Sequence, residues 1–134
     1  LGATKAVNPE KESLKSVYNE LGINHGFDVG LEMSGNSEAF NQMINNMYNG
    51  GNIALLGLLP NSTKISWDDV IFKGLNIKGI YGREMYDTWY KMTQMIRSGL
   101  SISSVLTHRY KIDDFDKAFE ILKSGNCGKV VLEW

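Results

Sequence analysis

An α/β fold on a parallel sheet is the class this sequence predicts, on three observations. Strand and helix signals alternate along all 134 residues, as they do where crossover helices join parallel strands. One apolar run, Ile53 to Leu59, has the character of a strand covered on both faces. The three strongest strand candidates each end in a glycine, at Ser34-Gly35, Leu56-Gly57-Leu58 and Ile80-Tyr81-Gly82.

Each element has a local reason. Glu10 to Leu21 places Leu14, Val17, Tyr18 and Leu21 on one helical face, with Gly22 as the stop. Phe27 to Met33 alternates, with Phe27, Val29, Leu31 and Met33 on one side and Asp28, Gly30 and Glu32 on the other, which predicts a short strand. Asn36 or Ser37 can cap a helix in which Ala39, Phe40, Met43, Ile44, Met47 and Tyr48 recur at helical spacing until Gly50 and Gly51. Beyond the Ile53 to Leu59 run and Pro60, the segment W-D-D-V-I-F-K predicts a short helix, and Asn76 to Tyr81 a third strand. Met85 to Ser98 is helical by period, with Met85, Trp89, Met92 and Ile96 inward and Gly99 closing it. Val105 to Tyr110 reads as a strand, Asp113 as the cap of a helix carrying Phe115, Ala118, Phe119 and Leu122, Gly125 as its stop, and Lys129 to Trp134 as a last strand.

Composition narrows the function. The chain has 14 Lys+Arg against 15 Asp+Glu and no basic block, so it has no electrostatic footprint for a nucleic acid or an anionic membrane. No apolar run approaches the roughly 18 residues of a membrane span, and L-G-A-T-K lacks the pattern of a signal peptide. The expectation is a soluble, cytoplasmic protein. A single cysteine, Cys127, allows no internal disulfide and no Cys-x-x-Cys motif, and S-G-N-C-G-K reads as a turn.

In a doubly wound sheet a dinucleotide lies across the carboxyl ends of the strands, which directs attention to the three glycine-bearing ends. Glycine there lets a ligand approach the backbone, although glycines at strand ends commonly serve only as turn residues. Other groupings are weaker. Asp28 and Glu32 share a strand face, but four residues along a strand separate them by about 13 Å, too far to share a proton. Arg83 and Glu84 suit a solvated first helical turn, with Glu84 favoured by the helix dipole, better than a cofactor or subunit contact. His25, His108 and Cys127 lack the paired spacing of metal ligands, and the methionine and aromatic positions fall on faces that pack on the sheet.

Gly79 to Tyr90, G-I-Y-G-R-E-M-Y-D-T-W-Y, carries the most specific signal. It resembles the zinc-dependent, NAD-linked L-threonine 3-dehydrogenases of the medium-chain alcohol dehydrogenase superfamily, and the resemblance extends through nearly the whole chain. That resemblance implies a partial Rossmann fold, a doubly wound parallel sheet with helices on both faces. Residues 1–104 would be a partial NAD-binding domain lacking the family's first and second strands. Residues 105–134 would be the strand-helix-strand segment that returns to the catalytic domain. Leu56, Gly57, Leu58, Ile80 and Tyr81 match the positions where the family's backbone meets the nicotinamide of NAD, and Ser34 and Gly35 the loop beneath its ribose. A flat carboxamide needs one donor and one acceptor held rigidly, which strand-end backbone supplies.

The family oxidises L-threonine to 2-amino-3-oxobutanoate, with zinc polarising the hydroxyl. By resemblance, the zinc ligands and the glycine-rich phosphate turn would precede Leu1, with the family's third strand at Thr4 to Val7, so this chain would contribute no catalytic residue or metal ligand and would be inactive alone. Loss of neighbouring strands would leave Phe27 to Met33 as an open edge, Thr4 to Val7 frayed or repositioned, and a route to homo-oligomers through that edge or through Asn76 to Tyr81. Two other readings stay open: a stand-alone partial Rossmann module for binding or oligomerisation, and a zinc-independent reductase of the same superfamily.

Overall fold

The computed structural model describes residues 2–134, which pack as two compact units, Ala3–Gly82 and Arg83–Trp134. The first holds α1 (Leu14–Leu21), β1 (Phe27–Glu32), α2 (Ser37–Asn46), β2 (Met47–Leu55), α3 (Trp67–Phe72) and β3 (Asn76–Gly79). Its three strands are all parallel, in the order β1-β2-β3, so β2 is central and β1 and β3 each leave an edge. Register brings Glu32, Leu55 and Gly79 side by side, and the three strands therefore finish level.

The core lies on the α2 and α3 side of this sheet. Phe40 and Ile44 from α2 meet Met47 and Ile53 from β2, and Leu55, Leu59, Ile65, Val70, Leu75 and Ile77 pack around them. Helix α2 is positioned at both ends. At its start the Asn36 side chain accepts from the amides of Glu38 and Ala39, at 2.9 and 3.0 Å, which satisfies two donors that the helix itself leaves unpaired. At its end the Lys73 ammonium donates to the carbonyls of Ile44 and Asn45, where a cation also suits the helix dipole.

Thr4 to Val7 forms no strand, in keeping with the expected loss of its neighbours, and Lys5 makes ion pairs with Glu12 and Glu20. Several other elements differ from the sequence reading. α1 starts at Leu14 rather than Glu10, because the Ser13 hydroxyl caps it and Asn8 accepts the amides of Lys11 and Glu12 in a preceding turn. α2 ends at Asn46, and Met47 already pairs with Phe27. The next matched pair is Val29 with Asn52, so residues 48–51 loop out of register, tied by the Gly50 amide to the Lys73 carbonyl at 2.7 Å. On β1 the alternation is real, and the face that carries Gly30 and Glu32 is the buried one. Gly30 and Glu32 are covered by the α2 side, whereas Val29, Leu31 and Met33 are exposed. β2 ends at Leu55 instead of Leu59, and β3 at Gly79 instead of Tyr81.

Glu32 is the buried charged residue of the first unit, 2% exposed. Its Oε1 accepts from the Ser34 amide (2.9 Å), the Ser34 hydroxyl (2.6 Å) and the Gly35 amide (2.9 Å). Burial by itself pushes the carboxyl up, but the Ser34 hydroxyl and the amides of Ser34, Gly35 and Asn36 outweigh it and hold the group below its ordinary value.

The second unit contains α4 (Asp87–Arg97), β4 (Leu106–Lys111), α5 (Phe115–Ser124) and β5 (Lys129–Glu133), with single 3₁₀ turns at Ser103–Val105 and Ile112–Asp114. β4 and β5 pair in parallel, and α5 packs on them through the buried Ala118. Met85, Trp89, Met92 and Ile96, expected inward, are exposed, since among the described residues of this unit nothing covers that face of α4. The helix starts at Asp87 because Tyr86 adopts φ 65°, which takes Met85 out of it. Asp87, not Glu84, thus occupies the first turn, paired with Lys91, while Arg83 lies over the Trp89 ring at 4.8 Å. Asp113 makes no cap; the 3₁₀ turn replaces it, and Asp114 pairs with Lys117 at 2.6 Å.

Replacing the α2 cap, Asn36→Ala, should lower unfolding free energy by about 1 kcal/mol, measured by urea titration of the far-ultraviolet signal. Acid should act through Glu32. A carboxyl whose folded value is depressed stabilises the fold above its unfolded value and loses that contribution as pH falls through the folded value. Stability should therefore decline below about pH 4, and Glu32→Gln should be less stable than the wild type at neutral pH and narrow that gap in acid.

Candidate functional site

The level ends of the three strands bring the sequence-selected positions into one region of the first unit. Just beyond Glu32, Leu55 and Gly79 lie the Ser34-Gly35 turn, Leu56-Gly57-Leu58 and Ile80-Tyr81. Backbone hydrogen bonds continue the sheet by one step. The Leu56 and Gly57 amides both donate to the Glu32 carbonyl, at 2.9 and 3.1 Å, and the Ile80 amide donates to the Leu55 carbonyl at 2.9 Å. Two amides from consecutive residues on one carbonyl turn the chain out of strand geometry, which explains why β2 stops where the apolar run does not.

Two glycines make the crossing of these segments possible. A Cβ on Gly57 would lie 2.2 Å from Glu32 Oε2 and 2.3 Å from the Gly35 nitrogen. Gly35 has φ +68°, and a Cβ there would lie 2.8 Å from the Leu58 carbonyl oxygen. Any side chain at either position would force the two segments apart.

The outer surface of the region is open. Leu56 is 44% exposed, Leu58 95%, Ile80 40% and Tyr81 100%. These apolar side chains at strand ends are neither core nor cap. Among the described residues the amides of Leu58 and Tyr81 make no backbone hydrogen bond, nor do the carbonyls of Leu56 and Ile80. The arrangement can offer fixed donors and acceptors beside apolar surface, which suits a flat ligand with an amide group.

Groupings set aside in the sequence are also separate in space or role. Asp28 is exposed while Glu32 is buried and committed to its turn. His25 lies against Tyr48, His108 stacks on Tyr110, and the Cys127 thiol donates to the Ile121 carbonyl. Among the described residues no three His, Cys, Asp or Glu side chains come together. Also among the described residues, no helix is long and apolar enough to cross a membrane. The site feature that sequence reasoning missed is the role of Glu32. A lone acid inside a strand signals solvent, and only the S-G two residues on hints that it closes a turn.

Similarity to known proteins agrees with the architecture. The chain is 57% identical over 134 residues to L-threonine 3-dehydrogenase from Anaeromyxobacter dehalogenans and 58% identical over 134 residues to that from Chromobacterium violaceum. In both cases it is covered completely and spans 39% of the relative's length. Among solved structures, a putative zinc-binding dehydrogenase from Clostridium scindens superposes with a TM-score of 0.85 at 20% identity, over 99% of this chain and 38% of that one. An alcohol dehydrogenase from Escherichia coli complexed with NADH does so with a TM-score of 0.83 at 18% identity, over 99% and 39%. At those identities the superpositions establish the fold. The family model for zinc-binding dehydrogenases matches residues 1–98, and the chain belongs to that family.

Proposed function

We propose that the strand ends at Leu56-Gly57-Leu58 and Ile80-Tyr81 hold the nicotinamide end of NAD, in a protein that oxidises L-threonine to 2-amino-3-oxobutanoate. The observation that carries this reading is the row of level parallel ends, where, among the described residues, the Leu58 and Tyr81 amides and the Leu56 and Ile80 carbonyls make no backbone hydrogen bond. The substrate comes from the relatives, which are named for it and match this chain along its whole length. NAD supplies hydride acceptance when bound. The chain's own residues orient it: backbone groups fix the carboxamide, and Leu56 and Ile80 offer the apolar wall that keeps water from one ring face. Ser34 and Gly35 lie beneath the same region as the ribose loop.

Residues 1–104 are the cofactor-binding part of this proposal and 105–134 a segment that joins the catalytic domain. No zinc step is assigned to these residues. The edges of β1 and β3 are open to a second copy, and self-association through them belongs to the same reading, as does a cytoplasmic setting. A monomeric mass at micromolar concentration would remove the oligomer from it.

Titrating the chain with NADH while recording amide resonances should shift Leu56, Gly57, Leu58, Ile80 and Tyr81 together; shifts confined to other residues would refute the site. Gly57→Ala, which pushes a methyl group into Glu32 and Gly35, should weaken NADH about tenfold or more and cost about 1–3 kcal/mol of stability by overpacking. Fluorescence titration and urea unfolding measure the two effects.

A further inference from the structure

We propose that Glu32 is a positioning residue for the nicotinamide subsite: its carboxylate clamps the Ser34-Gly35 turn against Gly57 and so sets where the Leu56–Leu58 backbone presents its amide groups to the cofactor. The inference rests on the cofactor reading above and adds to it a side chain that lies beneath the surface the ligand would touch.

The geometry assigns the role in three steps. Glu32 is the last residue of β1 and sends its side chain toward the buried face rather than into solvent. One carboxylate oxygen, Oε1, gathers three donors from the Ser34-Gly35 turn, two of them backbone amides, and so determines the path of that turn. The other oxygen, Oε2, makes no hydrogen bond and lies against Gly57, where a Cβ would come within 2.2 Å of it. The carboxylate is thus a spacer with one oxygen holding each side: bonded to the turn after β1, in contact with the segment after β2. The main-chain carbonyl of the same residue accepts the Leu56 and Gly57 amides, so Glu32 governs both segments at once. Leu58 follows directly, its carbonyl oxygen placed where a Cβ on Gly35 would come within 2.8 Å of it.

A carboxylate is suited to this and its amide is not. Glu32→Gln keeps the size, but a neutral oxygen binds the three donors more weakly, and the new NH₂ group would face Gly57 where Oε2 finds no partner. The turn and the Leu56–Leu58 segment should then separate. A filler role would weaken the whole fold instead, without singling out the ligand's nicotinamide end.

The test compares wild type, Glu32→Gln and Ser34→Ala in the complete chain, with NADH and reduced nicotinamide mononucleotide as probes. Amide exchange and thermal melting are recorded alongside. The expected result is that Glu32→Gln still melts cooperatively, exchanges Ser34 and Gly35 faster while Ile53 and Ile77 keep their protection, and binds both probes about tenfold more weakly, in line with the loss of charge-assisted bonds. Ser34→Ala, which removes one of the three donors, should weaken both by about threefold. Binding of either probe by Glu32→Gln within about twofold of wild type overturns the proposal, even if exchange at Ser34 and Gly35 rises. If Glu32→Gln fails to fold, Ser34→Ala decides the matter, and unchanged affinity there overturns it. Failure of the wild type to bind either probe is a different result: it removes the cofactor reading itself, and the role of Glu32 with it.

Discussion

The hydrogen bonds that Glu32 gathers at the end of β1 are the constraint on which the first unit's strand-end region depends. A carboxylate with almost no access to solvent is costly unless its lone pairs are used, and three short donors from Ser34 and Gly35 use those of Oε1. Satisfying the charge requires the chain to reverse immediately, and the reversal delivers Asn36 to the position from which it caps α2. With α2 so placed, Phe40 and Ile44 reach the sheet, and the core closes around Ile53. One buried charge therefore links the strand end, the helix start and the packing beneath them.

The same tie explains an economy in the sequence around the candidate site. Gly35 and Gly57 come from different loops, yet each is required by the other and by Glu32, because their backbones meet at separations that leave no room for a Cβ. The segments can cross only where both lack side chains. Their crossing brings Leu56 to Leu58 beside the Ser34-Gly35 turn, while the Leu55 carbonyl holds Ile80 alongside. The strand ends thus present a surface made largely of main chain, with one buried carboxylate beneath it.

Where the sequence misled, local pattern was overruled by what an element packs against. The alternation of β1 is correctly periodic, but the α2 side takes the face that carries Gly30 and Glu32, leaving Val29, Leu31 and Met33 exposed. The apolar run from Ile53 continues past the strand because hydrophobicity does not report the two amides that converge on the Glu32 carbonyl at residues 56 and 57. Helical period extended α2 to Tyr48, although pairing of Met47 with Phe27 stops it sooner. Lys73 shows the same limit. Nothing in its neighbourhood in the sequence indicates that it caps a helix ending at Asn46.

Taken by itself, the sequence determined the α/β class, the parallel order of strand and helix, a helix cap at Asn36 or Ser37 and the three glycine-bearing strand ends, because periodicity, capping chemistry and glycine act over a few neighbouring residues. The likeness of Gly79 to Tyr90 to threonine dehydrogenases was legible for the same reason, as a contiguous run. Tertiary structure alone decided that Glu32, Leu55 and Gly79 finish level, that Gly35 and Gly57 meet, and that an acid four residues from Asp28 is buried as a clamp. Those facts depend on register and on contacts between residues more than twenty positions apart. A charge in a strand is read as solvent-facing until the chain that returns to cover it is known.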